Sequence, residues 1–149
     1  MKTLQAPSGL FFDNINIKNS KIDPHFYSYN AGTMLQSSVL LYEIKKDTTY
    51  LNNALRIADA SVKHFLADGK FRDSWWFNAV LLRGYQNLLA FDKDKTFVLA
   101  FQKALDSEID RHRQTGKWEL IKKRNLVDYG GLLECVARFA QMQKQHVIN

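Results

Sequence analysis

Apolar residues recur every three to four positions through most of the chain after residue 26, and this spacing predicts five helices. The first, from about Asn30 to Lys45, carries Met34, Leu35, Val39, Leu41, Tyr42 and Ile44 as one broad stripe. The second, from about Thr49 to Leu66, repeats apolar or small residues at Leu51, Ala54, Leu55, Ala58, Val62 and Phe65. It sets Asn52, Arg56, Asp59 and Lys63 on its other face and ends at an Asp68-Gly69 turn. The third, from about Ser74 to Phe91, is apolar on most sides, the mark of a buried helix. The fourth, about Lys95 to Gln114, is amphipathic through Phe97, Phe101, Leu105 and Ile109 and stops before Gly116; the fifth, about Val127 to Gln143, is mostly apolar again. Ahead of them Ser8 to Asp23 mixes Leu10, Phe11, Phe12, Ile15, Ile17 and Ile22 with turn material, which predicts a long loop with a short extended or hairpin element.

Laid on itself at an offset of about 47 residues, the chain repeats. Asp47-Thr48-Thr49-Tyr50-Leu51 falls on Asp94-Lys95-Thr96-Phe97-Val98. Leu41, Leu88 and Cys135 coincide, as do Ser37, Gly84 and Gly131. A small residue recurring in mid-helix is explained by close approach of a neighbouring helix, since glycine there otherwise costs up to about 1 kcal/mol. Alternation of a nearly all-apolar helix with an amphipathic one is what two layers of helices require, the inner layer covered on both sides and the outer wet on one. The expected class is all-α, a curved array of αα hairpins, either an open solenoid or part of a closed toroid.

Composition narrows the function classes. A chain of 149 residues that is 46% hydrophobic supports one domain. Its net charge of +6, with Arg111-His112-Arg113 and Lys122-Lys123-Arg124, raises a nucleic-acid reading, but the basic residues are interleaved with acidic ones throughout and no nucleic-acid motif is visible, so no nucleic acid partner is expected. No apolar run approaches the roughly 20 residues of a membrane span, so no membrane partner is expected either. Met1 to Leu10 lacks the apolar centre of a secretory signal, which points to the cytoplasm for a complete chain and leaves the compartment open for a piece of a longer one. Cys135 sits in an apolar helical pattern, as a small buried hydrophobe does. His25, His64, His112 and His146 have no zinc-like spacing, and there is neither a phosphate-binding Gly-rich loop nor a nucleophile elbow, so no metal and no cofactor is expected.

Three segments carry a more specific signal. Tyr27-Ser28-Tyr29-Asn30-Ala31-Gly32-Thr33-Met34-Leu35 is followed by Leu40-Leu41-Tyr42, then Tyr50-Leu51-x-x-Ala54-x-x-Ile57-Ala58, then Trp76-Phe77-Asn78-x-x-x-x-Arg83-Gly84-Tyr85. In this order and spacing they resemble the C-terminal half of family 76 glycoside hydrolases, the α-1,6-mannanase-like enzymes, from about Gly9 to Met142. The resemblance implies part of an (α/α)6 toroid that cleaves α-mannan-type polysaccharide with two adjacent upstream aspartates. This sequence departs from the pattern in having no Asp-Asp pair, and in placing Ala31 where the family commonly holds a polar residue.

In such a toroid the starts of the inner helices face the cleft, so the resemblance makes Tyr29, Asn30, Trp75, Trp76, Asn78, Arg83 and Asp128 the candidate sugar-contacting residues, with no catalytic residue among them. Aromatic faces stack on sugar rings and amides bond hydroxyls. Against this stand core packing for the tryptophans, helix capping for Asn30, and a structural ion pair for Arg83. Asp13, Asp73 and Asp128 are the carboxylates placed near a cleft, and capping is the simpler role for each. The expected function is a carbohydrate-active fragment that contributes to a mannan-type cleft and is inactive by itself. The expected partners are a mannan-like oligosaccharide and either a second copy of the chain or a missing N-terminal half. The alternative is a non-enzymatic helical scaffold that self-associates through an open apolar flank.

Overall fold

The structure, a computed structural model, describes residues 4–66, 69–115 and 126–148. They form five helices: α1 (Ser28–Lys45), α2 (Thr48–Phe65), α3 (Trp75–Leu88), α4 (Thr96–Thr115) and α5 (Leu126–Lys144). Each lies within a few residues of its expected span. Among the described residues the only strand-like pairing is three isolated antiparallel bridges, Gln5 with Phe11, Phe12 with Phe26 and Ile15 with Ile22, which make the N-terminal segment a loop folded on itself. Leu10 and Phe11 pin that loop to the core. The Asp68, Gly116 and Lys122-Lys123-Arg124 expectations lie outside the described residues; Gly69 turns with a left-handed φ of 69°.

The helices start where their caps are. Asp47 accepts hydrogen bonds from the Thr49 N–H at 2.9 Å and the Thr49 hydroxyl at 2.7 Å; one repeat later Asp94 does the same with Thr96 at 2.9 and 2.5 Å. The aligned Asp-x-Thr triplets are thus one capping device used twice, each satisfying an otherwise orphaned helix N–H. Two other helix starts are capped from outside. The Ser28 N–H of α1 donates to the Asp73 carboxylate at 2.6 Å, and the Trp76 N–H of α3 donates to the Asp128 carboxylate at 3.3 Å.

In space α1, α3 and α5 stand in a row with α3 in the middle, while α2 and α4 form a second layer on one side of it. Apolar side chains fill the space between the layers: Leu35 and Val39 from α1, Ile57 and Phe65 from α2, Leu82 and Tyr85 from α3, Val98 and Phe101 from α4, Cys135 and Phe139 from α5. The one polar atom that Tyr85 brings into this core is satisfied by the Ser61 hydroxyl at 2.7 Å. Cys135 is buried and its thiol is pushed up to about 12, chiefly by desolvation, so it is inert packing.

The row is held at backbone contact. A Cβ added to Gly32 would lie 2.5 Å from the Val80 carbonyl oxygen and 2.6 Å from the Leu81 nitrogen, and one added to Gly131 would lie 2.5 Å from the Trp75 carbonyl and the Trp76 nitrogen. At Gly84 it would meet Leu35 at 2.9 Å and the Gly32 carbonyl at 3.0 Å. The repeated small position therefore works as expected at Gly84 and Gly131. It does not at Ser37, whose hydroxyl bonds back to the Thr33 carbonyl at 2.9 Å; on α1 the close approach is made at Gly32 instead.

Adjacent glycines in α5 give opposite expectations. Nothing lies within 4 Å of a Cβ at Gly130, so Gly130→Ala should stabilise by about 0.4–1 kcal/mol through lost unfolded-state freedom. Gly131→Ala carries the same propensity gain but must push α5 off α3, and should destabilise by about 1–3 kcal/mol. Urea midpoints of the two variants against the parent check the pair of signs.

Candidate functional site

The face of the inner row turned away from α2 and α4 carries the candidate site. On α3 it presents Trp76, Val80, Arg83 and Asn87, four residues at i, i+4, i+7 and i+11, none of them buried. Trp76 is 47% exposed, a large cost in water-exposed apolar area for an indole that helix packing alone does not require. Beside it, at the N-terminal ends of α1 and α3, aromatic rings stand in contact: Tyr29 and Phe77 with centroids 4.6 Å apart, Tyr27 and Phe77 at 5.6 Å, Tyr27 and Tyr29 at 6.0 Å and 19° from parallel. His25 extends the stack, 6.3 Å from Tyr27.

Asp13, delivered by the N-terminal loop, anchors this wall. Its carboxylate accepts from the Tyr29 hydroxyl at 2.5 Å, the Asn30 amide at 3.1 Å and the Asn14 amide at 2.8 Å. The Tyr29 bond, foremost, holds Asp13 below the usual carboxylate range and raises the Tyr29 phenol in return. Asn30 therefore does not cap its helix; it shares Asp13 with Tyr29.

The structure separates the sequence-derived candidates into two sets. Tyr29, Asn30, Trp76 and Arg83 reach the open face. Trp75 and Asn78 do not. Trp75 is 5% exposed and packs edge-on against Phe71 and Phe101, because its position turns it toward the second layer. Asn78 is wholly buried, accepting from the Ser28 hydroxyl at 2.9 Å and donating to the Asp73 carbonyl at 3.1 Å, so it clamps α3 to the start of α1 and has no surface for a ligand. Asp128 is 6% exposed and caps α3, and Asp73 caps α1, so both of these carboxylates serve helix starts. Asp13 differs in that its carboxylate bonds the side chains of Tyr29, Asn30 and Asn14.

Arg83 finds its carboxylate in Glu134 of α5, a bidentate pair at 2.7 and 2.6 Å. Arg138, one turn on, donates to the same Glu134 oxygen at 2.7 Å and to the Gln86 side chain at 2.6 Å. The Arg83 bond, ahead of that from Arg138, pulls Glu134 down to about 2. Sequence reasoning missed Glu134 and Arg138, whose only signal was their i, i+4 spacing, and missed Tyr27 and Phe77 as parts of the wall.

A recess also opens elsewhere on the described residues. About 690 Å³ in volume, it opens between the start of α3 and the C-terminal half of α4, lined among others by Lys70, Phe71, Glu108, Arg111 and Gln114. Its walls mix charges of both signs, Arg111 being paired with Glu108 at 2.8 Å, whereas the inner face offers a row of ring surfaces and amides suited to a flat polyhydroxylated ligand. We take the inner face as the site. Among the described residues no group of three or more His, Cys, Asp or Glu converges on a metal position, and no helix is long and apolar enough to cross a membrane.

Comparison with known proteins agrees with this geometry. The sequence profile of Glycosyl hydrolase family 76 matches residues 1–75. No curated protein matches. Among solved structures, the Lin0763 protein of Listeria innocua superposes with a TM-score of 0.74 at 21% identity over 94% of this chain and 46% of its own. A family 76 glycoside hydrolase from a bovine Bacteroides thetaiotaomicron strain gives 0.73 at 23% over 95% and 36%. The family 76 mannosidase Bt3792 of Bacteroides thetaiotaomicron gives 0.70 at 23% over 96% and 46%. The chain thus spans less than half the length of each of these structures, and its two-layered helices are part of a helical toroid of their kind.

Because Glu134 is held below its unfolded value of 4.5, its contribution to stability is present above about pH 4.5 and is lost as pH falls toward about 2. Glu134→Gln should be less stable than the parent at neutral pH and should lose less stability over that acid interval. Thermal melts of both proteins at a series of pH values check the convergence.

Proposed function

Because the chain belongs to glycosyl hydrolase family 76, we propose that it forms part of the wall of a carbohydrate cleft, corresponds to the C-terminal part of an (α/α)6 ring, and takes an α-mannan-type polysaccharide. The observation that carries this reading is the open aromatic face, with Trp76 exposed and the rings of Tyr27, Tyr29 and Phe77 in mutual contact at the same helix starts, bordered by the Asp13–Asn30 polar pair. Ring faces bind the apolar faces of sugars, and carboxylate and amide groups take the hydroxyls at their edges. The mannosidase among the similar structures supplies the choice of sugar.

The chain by itself does not hydrolyse the polymer. Glycosidic hydrolysis requires two carboxyl groups across the scissile bond, one of them a general acid held above its usual range. The sequence contains no adjacent aspartate pair. Asp73 and Asp128 are committed to helix starts, and Asp13 and Glu134 are both held below their usual range, the wrong direction for an acid. The acid–base pair therefore comes from outside these residues, and this chain contributes binding.

Calorimetric titration with α-1,6-mannooligosaccharides should show binding without release of reducing ends, and Trp76→Ala should weaken it about tenfold, some 1.4 kcal/mol. Turnover by the chain alone contradicts the reading, as does an affinity indifferent to Trp76.

A second reading has its own observation. The two ends of the inner row meet no further helix among the described residues, and they expose Leu40, Leu41 and Ile44 on α1 and Leu126, Leu133 and Val136 on α5. Exposed apolar flanks of this kind mark interfaces, and a second copy is the occupant that a self-associating scaffold requires. Light scattering should then report a dimer that Ile44→Glu with Leu133→Glu converts to monomer; a monomeric parent contradicts this reading and leaves the carbohydrate one standing.

A further inference from the structure

The cluster joining α3 to α5 carries more positive charge than its one carboxylate balances. Arg83 and Arg138 converge on Glu134, both of their Nε atoms donating to the same Oε1 at 2.7 Å. Two guanidinium charges against one carboxylate leave a net +1. Among the described residues, Arg83 and Arg138 are the charged groups acting on Glu134, and the groups beside them on the face are Gln86, which takes one Arg138 donor, Asn87, which accepts from Gln36 at 3.4 Å, and Val80. Glu134 stays ionised, so the surplus is permanent across ordinary pH.

A bridge between helices would need one arginine. A second guanidinium drawn to the same oxygen adds like-charge repulsion and, at a half-exposed position, contributes little stability. It does add donors. Each guanidinium has five N–H groups; Arg83 commits Nε and Nη2 and Arg138 commits Nε and Nη1. Their side chains remain 36% and 31% exposed, on the open side of the row. Paired planar donor forks, held in place by a shared carboxylate and open to solvent, match an oxyanion with two or three acceptor oxygens. The site lies on the same stripe of α3 as Trp76, seven residues and two turns along, which is about 10 Å. A polymer seated on the Trp76 ring runs across it.

We propose that Arg83 and Arg138, positioned by Glu134, form a subsite for an anionic substituent on the glycan, a phosphodiester or a carboxylate. This rests on the carbohydrate-cleft reading and narrows its substrate class from neutral mannan to an acidic polysaccharide. Neutral rings are held at Trp76 and the Tyr29–Phe77 wall; the oxyanion is held at the guanidinium pair, where it neutralises the surplus charge.

The test is a titration of the parent chain and of Arg138→Gln with three size-matched mannooligosaccharides: one neutral, one bearing a mannosyl phosphodiester, one bearing a uronic acid, at low and at physiological salt. At low salt an anionic ligand is expected to bind about tenfold more tightly than the neutral one, with the advantage shrinking as salt is raised. Arg138→Gln should abolish the advantage. Preference for the phosphodiester alone assigns phosphate, preference for the uronate alone assigns carboxylate, and equal preference assigns a general oxyanion site. Neutral binding with no anionic advantage in the parent overturns this inference and leaves the cleft reading intact. Absence of binding by all three overturns both. The parent comparison stands even where the variant is poorly folded.

Discussion

Backbone contact between neighbouring inner helices is the constraint from which the rest of the structure follows. At Gly32 against Val80–Leu81, and at Gly131 against Trp75–Trp76, there is no room for a single methyl group. Spacing this tight fixes α1, α3 and α5 as one row, and it brings the start of each helix within hydrogen-bond reach of its neighbour's side chains. That is why Asp73 caps α1 and Asp128 caps α3, with each carboxylate borrowed from the next inner segment along. The caps in turn hold the helix starts in register, and the aromatic wall is built on those starts.

The polar groups of the inner row divide the same way. Those that point into the contact, Asn78 and Ser28, are consumed in joining α1 to α3. Those that point away from the second layer, Tyr29, Asn30, Trp76 and Arg83, remain reachable. Membership of glycosyl hydrolase family 76 is what supports the carbohydrate reading proposed for that open face. The sequence contains no adjacent aspartate pair, and the role proposed for this face is accordingly binding.

Helical periodicity made the five elements legible in the sequence, because each apolar stripe is long and bounded by a turn. The alignment of the Asp47 and Asp94 segments was legible too, and the structure shows why: each is a local Asp-x-Thr cap that needs no tertiary partner. The site was only partly so. Trp75 and Trp76 are adjacent and chemically identical, and only the direction of the second layer decides that one is core and the other exposed. Asn78 reads as a polar residue at a helix start, yet its burial depends on how closely α1 approaches, which Gly32 sets and no local pattern announces. Asp13 reaches Tyr29 from a loop sixteen positions away, and Glu134 reaches Arg83 across 51; sequence shows the charges but not the meeting.

The central claim is that the inner face of the α1–α3–α5 row is a saccharide-binding wall. A crystal structure of the chain with a saturating α-1,6-linked mannotetraose tests it most directly. The account predicts sugar rings lying over Trp76 and the Tyr29–Phe77 pair, with hydroxyls bonded at Asp13 or Asn30. An oligosaccharide seated instead in the recess beneath α4, or an inner face left bare at saturation, would contradict it.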